Sequence, residues 1–271
     1  MALELGLTGR TALVTGASKG IGRAIARGLA REGVNLVLMA RGMDALAATA
    51  AELTSQHGVK ALPVSADITK TDSVNAAAAA AKAEFGTVHI VVNNAGNPMR
   101  RMDRQILWPD TDWIGDLDGK LIGSLRVTQA FLPLMPGDGT GRIINISGTA
   151  STIVWAPALT HGLNNAGMNQ ATGYLANDLA SQQITVNTLV PGLVGTEGRQ
   201  VWAENMAKQQ SVTTEEFLAS FCKRMGILSG RWATMDEVAD SVLFIASDRG
   251  RYYNGAKIIM DGGLNVNVRP A

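Results

Sequence analysis

Little in this sequence marks a special class. Its 271 residues hold one cysteine, Cys222, three histidines and only 5% aromatic residues, and the formal net charge is +1. A lone cysteine excludes an intrachain disulfide framework and fits a reducing, cytoplasmic compartment. A balance of 24 basic against 23 acidic residues leaves no field to draw in nucleic acid. No apolar run approaches the roughly 20 residues that span a bilayer, so no membrane partner is expected. The start, Met-Ala-Leu-Glu-Leu-Gly-Leu, has no basic n-region, so no signal peptide is expected. No Pro/Gly/Ser-rich linker divides the chain, which implies one domain over residues 1–271. No metal site is assigned.

What is present is apolar sequence in short blocks. Thr11–Thr15 is nearly all apolar and is followed by glycines, as for a strand buried on both faces. Similar blocks stand at 34–39, 59–65, 88–92, 142–147, 184–189 and 256–260. Between them, residues 21–31, 44–56, 71–85, 113–135 and 159–181 read as helices, the third carrying six alanines in a row. Strands alternating with long helices imply parallel pairing and right-handed crossovers. The expected fold is α/β: a doubly wound, Rossmann-type parallel sheet of about seven strands with helices on both faces. Residues 195–230 interrupt the pattern as a polar insertion with helical patches, read as a lid over the site.

Thr15-Gly16-Ala17-Ser18-Lys19-Gly20-Ile21-Gly22 joins the first strand to the first helix. Glycines suit a tight turn and a backbone that must approach a pyrophosphate closely, and the helix start offers free N–H groups to the phosphates. The second strand ends Leu38-Met39-Ala40-Arg41, without the acid that would bind a ribose 2′-hydroxyl. Arg41 with Lys19 would suit a 2′-phosphate, although two solvated surface cations would read the same way. NADP(H) is therefore expected ahead of NAD(H).

Further motifs follow in order: Asp67-Ile68 after the third strand, Asn93-Asn94-Ala95-Gly96 after the fourth, Pro191-Gly192-Leu193-Val194-Gly195-Thr196 after the sixth, and Asp261-Gly262-Gly263 after the last. Together with T-G-x-x-x-G-x-G this set resembles the short-chain dehydrogenase/reductase family over nearly the whole chain. The resemblance implies cofactor contacts at Gly16, Ser18, Lys19, Gly20, Ile21 and Gly22 in the loop and at Arg41 beyond it. It adds Asp67 and Ile68 near the adenine, then Asn93, Ala95 and Gly96. At the carboxamide end it implies Pro191, Gly192, Val194 and Thr196.

Active members of that family use a Ser, a Tyr-x-x-x-Lys and an Asn. By the family's spacing those positions are Gly148, His161, Asn165 and Lys120. Tyr253-Asn254-Gly255-Ala256-Lys257 matches Tyr-x-x-x-Lys literally, yet it directly precedes the last strand and is set aside. Two readings of the altered set stand. In one, the exchange is coordinated: an imidazole near 6.5 needs no cation to work near neutral pH, whereas a phenol near 10 does. His161 is then the proton donor. Lys120 and Asn165 support it, and Ser147 or Thr149 supplies the missing hydroxyl. The chain would interconvert a small carbonyl compound and an alcohol. In the other reading the chain binds cofactor without redox chemistry, as a sensor, a partner subunit, or an elimination or isomerisation enzyme.

Arg100, Arg101 and Arg104 near the mouth of the site, with Lys120 inside, hint at an anionic substrate, or form a solvated loop. Val201, Trp202, Met206, Phe217, Leu218 and Phe221 would line an apolar pocket or simply pack the lid. The resemblance also implies a homo-oligomer, dimer or tetramer, with the glycines at 115, 119, 123, 162, 167 and 173 allowing close approach of its long helices.

Overall fold

The structure is a computed structural model that describes residues 4–97, 104–156 and 158–266. Seven parallel strands form one sheet: β1 (Thr11–Thr15), β2 (Asn35–Ala40), β3 (Ala61–Ser65), β4 (Ile90–Asn93), β5 (Arg142–Ile146), β6 (Thr185–Pro191) and β7 (Lys257–Met260). Their order is β3-β2-β1-β4-β5-β6-β7, so the winding reverses between β1 and β4. A crevice opens at the carboxyl ends of strands on either side of such a switch point.

Residues alternate between the two faces of each strand. Ala12, Val14, Leu36 and Leu38 share a core with α1 (Gly20–Arg31), α2 (Met43–His57) and α9 (Met235–Ala246). Leu13, Val37 and Met39 face the opposite layer, with α3 (Thr71–Phe85), α5 (Gly123–Phe131) and α6 (Leu159–Asp178). Because both faces are covered, the strands carry almost unbroken apolar sequence.

Two elements differ from the sequence reading. The expected helix over 113–135 is broken into α4 (Asp110–Leu117), a π turn (Asp118–Ile122), α5 and a short 3-10 turn. The π turn is locked from outside, since Asn164 Oδ1 accepts from Leu121 N at 3.2 Å and Asn164 Nδ2 donates to the Asp116 carbonyl at 3.1 Å. The other element is α9, which packs along α1 and has no counterpart in that reading. It opens with a capping box in which Thr234 and Glu237 satisfy each other's backbone N–H groups.

The insertion holds α7 (Glu197–Gln209) and α8 (Thr214–Met225) around a small apolar core of its own. Trp202 lies 5.6 Å from Phe217, 5.5 Å from Phe221 and 6.2 Å from Trp232 between ring centres. These rings pack on one another, and Val201 is exposed, so the group reads as packing of the segment. Several of the helix glycines are likewise used within the chain: a side chain at Gly119 would collide with Asn97, at Gly123 with Ile68 and at Gly167 with Leu121. At Gly115 and Gly173 the space is open.

Candidate active site

The glycine loop lies at the switch point. Gly16 adopts φ +68°, and its N–H donates to the Met39 carbonyl at 2.7 Å. Gly20 also has positive φ, and a side chain at Gly22 would run into the Gly16 carbonyl and Asn94. Lys19 stands in extended conformation before α1, whose start has no side-chain cap. Its first N–H groups, Ile21 and Gly22 among them, are thus left for a ligand over the loop.

Thr15 ties this loop to the next motif. Its hydroxyl donates to the Val92 carbonyl at 3.2 Å and accepts from the Asn94 and Ala95 N–H groups, each at 2.9 Å. Asn94 Nδ2 returns a bond to the Thr15 carbonyl at 2.9 Å. Thr15 is not among the cofactor contacts expected from the sequence; it joins the two motifs. Asn93, which it placed at the cofactor, has its amide in the core. Nδ2 donates to Thr128 Oγ1 and Asn145 Oδ1, both at 2.9 Å. That amide holds β4 to β5 and α5.

Asp67 turns back on its own loop, accepting from Thr69 N and Thr69 Oγ1 at 2.9 Å each. Those bonds, with Arg41 and Lys70 nearby, hold its carboxyl below the usual range. Ile68 packs under Gly123, and its carbonyl accepts from Arg126. Arg41 and Lys19 are both exposed, and neither forms an ion pair among the described residues.

The segment after β6 comes back to the glycine loop. Gly192 N donates to Met260 O at 2.9 Å, and the glycine packs so closely on Asp261 that a side chain there would meet its Cα at 2.8 Å. Val194 bridges to Ala233. Thr196 and Glu197 then lie 3.9 and 3.8 Å from where a Gly20 side chain would begin.

Across the crevice, Lys120 stands in the π turn with its stem over Gly96, where a Cβ would lie 3.2 Å from Lys120 Cδ. Its Nζ donates to Asn165 Oδ1 at 2.6 Å. Burial pushes the amine down to about 8. Asn165 is 0% exposed, and its Nδ2 has no hydrogen-bond partner among the described residues. Gly148 gives it room: a Cβ there would sit 3.3 Å from Nδ2. Gly148 has extended backbone, so this space is what glycine contributes. Ser147 is turned away, its hydroxyl donating to the Asn165 carbonyl at 3.1 Å from a buried position.

His161 is half-buried one turn before Asn165 on α6. Burial pushes it down to about 4, helped by the charges of Lys120 and Arg199 and opposed by Asp116. An imidazole near its ordinary value is expected from the sequence; here burial first, and then two cations in place of the one missing from α6, lower it. Arg199, which the sequence reading overlooked, has its Nη1 buried without a partner among the described residues. None of the three tyrosines joins the group. Tyr174 and Tyr252 are 68% and 99% exposed, and Tyr253 packs on Phe244. Arg104 is exposed, and Arg100 and Arg101 lie outside the described residues.

This crevice at the switch point of a parallel sheet, with a glycine loop on one side and an amine–imidazole pair on the other, is that of a dinucleotide-dependent enzyme. The family model described as enoyl-(acyl carrier protein) reductase matches residues 16–265. The chain is 36% identical over 262 residues to oxidoreductase UcpA of Salmonella typhimurium, covering 96% of each. It is 30% identical over 266 residues to gluconate 5-dehydrogenase of Gluconobacter oxydans, covering 97% of each. It superposes with TM-score 0.90 at 28% identity on L-sorbose reductase from Gluconobacter frateurii complexed with NADPH and L-sorbose, covering 98% of this chain and 100% of that one. The chain belongs to the short-chain dehydrogenase/reductase family.

Proposed function

We propose that this chain is an NADP(H)-dependent oxidoreductase that interconverts a carbonyl and an alcohol on a small molecule. The observation that carries the reading is the Lys120–Asn165–His161 group beside an intact dinucleotide cradle. Gly16 to Gly22 and the uncapped start of α1 fit a pyrophosphate. Lys19 and Arg41, exposed and without ion pairs among the described residues, fit a 2′-phosphate. Pro191 to Thr196 would hold the carboxamide end, and α7 with α8 would form the lid. NADPH bound to the sorbose reductase supports this choice of cofactor. When bound, NADPH supplies the hydride.

The proton comes from the chain. With a pKa near 4, His161 is neutral at neutral pH. In this proposal it donates a hydrogen bond to the substrate oxygen, fixing and polarising it. Lys120, near 8, is protonated at neutral pH and close enough to that pH to release a proton. Its ammonium protonates the oxygen as the carbonyl is reduced, then regains a proton from water. Asn165 Oδ1 fixes the direction of Nζ. Sorbose and gluconate in the names of relatives support a small polar substrate. Ile114 and Leu163, 65% and 51% exposed on α4 and α6, support a homo-oligomer.

The test is transfer of deuterium from stereospecifically labelled NADPH to a product across a panel of small ketones and aldehydes. A labelled alcohol is expected. Tight NADPH binding without transfer to any of them would favour a sensor or a non-redox enzyme.

A further inference from the structure

Two cations in this site lack an acid. Arg199 lies in the first turn of α7, three residues past Thr196, and its Nη1 is shut away from water without a hydrogen-bond partner among the described residues. Lys120 bonds a neutral amide, Asn165. Among the described residues, neither cation forms an ion pair.

Both cations lie near enough to His161 for their charges to act on it. Asp116 opposes them, yet its carboxylate is already engaged. Oδ2 accepts from Thr160 Oγ1 at 2.5 Å, and Oδ1 lies 3.5 Å from Asn97 Nδ2. Ile153 and Trp155, in the loop leading into α6, pack against the apolar core of α7 and α8. α7 and α8 are thereby packed against the segment that leads into α6.

A buried guanidinium without an acceptor is costly. Arg142 is more deeply buried and is engaged in part. Its Nη1 donates to the carbonyls of Gly139 and Gly141 and Asp248 lies 3.8 Å from Nη2, while Nε and Nη2 have no hydrogen-bond partner among the described residues. For Arg199 Nη1 there is no acceptor among the described residues.

We infer that Arg199 receives a carboxylate carried by the substrate, so that the chain acts on an oxo acid and the matching hydroxy acid rather than on a neutral ketone. This rests on the reading of the site as a carbonyl–alcohol catalyst. The planar guanidinium fork matches a planar carboxylate. With Lys120 serving the reacting oxygen, Arg199 offers one positive charge to one carboxylate; malonate, a dianion at neutral pH, can set one carboxylate on each cation.

The test is calorimetric titration of the full-length chain, saturated with NADP⁺, as wild type, Arg199→Met and Arg199→Lys. Malonate, dimethyl malonate and inorganic phosphate are the probes, and NADPH is titrated separately into each protein. Malonate is expected to bind the wild type, dimethyl malonate is not, and Arg199→Met should weaken malonate at least about tenfold. Arg199→Lys should restore part of the loss, because it keeps the charge but not the fork. NADPH affinity should hold, which also shows that the variants fold. The inference is overturned if malonate fails to bind, or binds the Met variant equally well. Arg199-dependent phosphate binding tighter than that of malonate would assign a phosphate instead. NADPH weakened in Arg199→Met would assign the guanidinium to the cofactor.

Turnover of acid and ester pairs, such as pyruvate with methyl pyruvate, separates the two readings. Arg199-dependent malonate binding without any turnover keeps the anion site and removes the carbonyl chemistry. Equal turnover of acid and ester, unchanged in Arg199→Met, keeps the carbonyl chemistry and removes the anion site.

Discussion

Lys120 Nζ donates to Asn165 Oδ1 at 2.6 Å, and that bond joins the π turn between α4 and α5 to the buried face of α6. The site therefore keeps an ammonium, held on the helix opposite the one where the family's spacing puts its lysine. Turning a helix by one widened turn re-aims a side chain, and π turns are common at functional sites for that reason.

This placement sets a pH limb. Lys120 is charged below about 8 and neutral above it. If its ammonium protonates the substrate, kcat/KM for reduction holds steady below that value and falls about tenfold per unit above it. Lys120→Met should cost on the order of 10²–10⁴ in kcat and erase the limb, while Lys120→Arg should move the limb out of range. The linkage has a definite sign. Unfolded, the amine titrates near 10.4, so between about 8 and 10.4 the unfolded chain binds more protons, and the fold gains stability as pH rises. Lys120→Met should remove that slope. A limb that persists in Lys120→Met would show that another group gives the proton.

His161 should remain neutral down to about 4. An NMR titration, assigned by comparison with His161→Phe, measures this directly. Burial is the largest cause, then Lys120 and Arg199, with Asp116 opposing. Arg199→Met and Lys120→Met should therefore each raise the midpoint toward 6.5. Because the folded value is lowered, the unfolded chain takes up this proton first, and the fold loses stability as pH falls from about 6.5 to 4. His161→Phe should flatten that part of the stability curve. A wild-type midpoint near 6.5 would return His161 to the role of proton donor.

Arg41 and Lys19 bear on cofactor choice. Both are exposed cations without ion pairs among the described residues, beside the end of β2, where the sequence has no acid. Arg41→Asp places a carboxylate where a ribose 2′-hydroxyl could use it and a 2′-phosphate would be repelled. NADPH affinity should fall by about ten- to a hundredfold, with NADH affinity level or higher, read from the dissociation constants of both. Equal loss of both cofactors would mean that Arg41 supports the loop rather than discriminating between them.

The fold was legible because sheet and loop have local signatures. Leu36 and Val37 are both apolar because both faces of β2 are covered, and the glycine loop announces itself by spacing. Helix α9 was missed even though Thr234 and Glu237 spell a capping box, because that signal is short and easily passed over after a long insertion. The break at Asp118–Ile122 was not legible, since it depends on Asn164 reaching across from α6 to Leu121. The same is true of the site. Counting from the strands found His161, Asn165 and Lys120, which the structure does bring into one group. That Asn93 turns inward, that Ser147 faces α6 and that Arg199 Nη1 has no partner among the described residues depend on tertiary contacts no local pattern encodes.

The Lys120–Asn165 pair can itself be reversed. Asn165→Lys alone would set a second ammonium against the first in a position 0% exposed, where like charges repel with little water to screen them. It should lower Tm sharply, and it would place a cation one helical turn from His161 and depress that imidazole further. Lys120→Asn alone leaves two amides that can still bond each other, but it uncovers Gly96, over which the lysine stem now lies. Its cost should be milder. Together the two changes rebuild an ammonium–amide bond with donor and acceptor helices exchanged. The double variant should therefore be more stable than Asn165→Lys, with a coupling on the order of 1–3 kcal/mol from the four Tm or denaturant curves. It should not regain the Lys120 pH limb, because the ammonium would now project from α6. Additive single effects would mean that the bond merely accompanies the fold and does not organise the site.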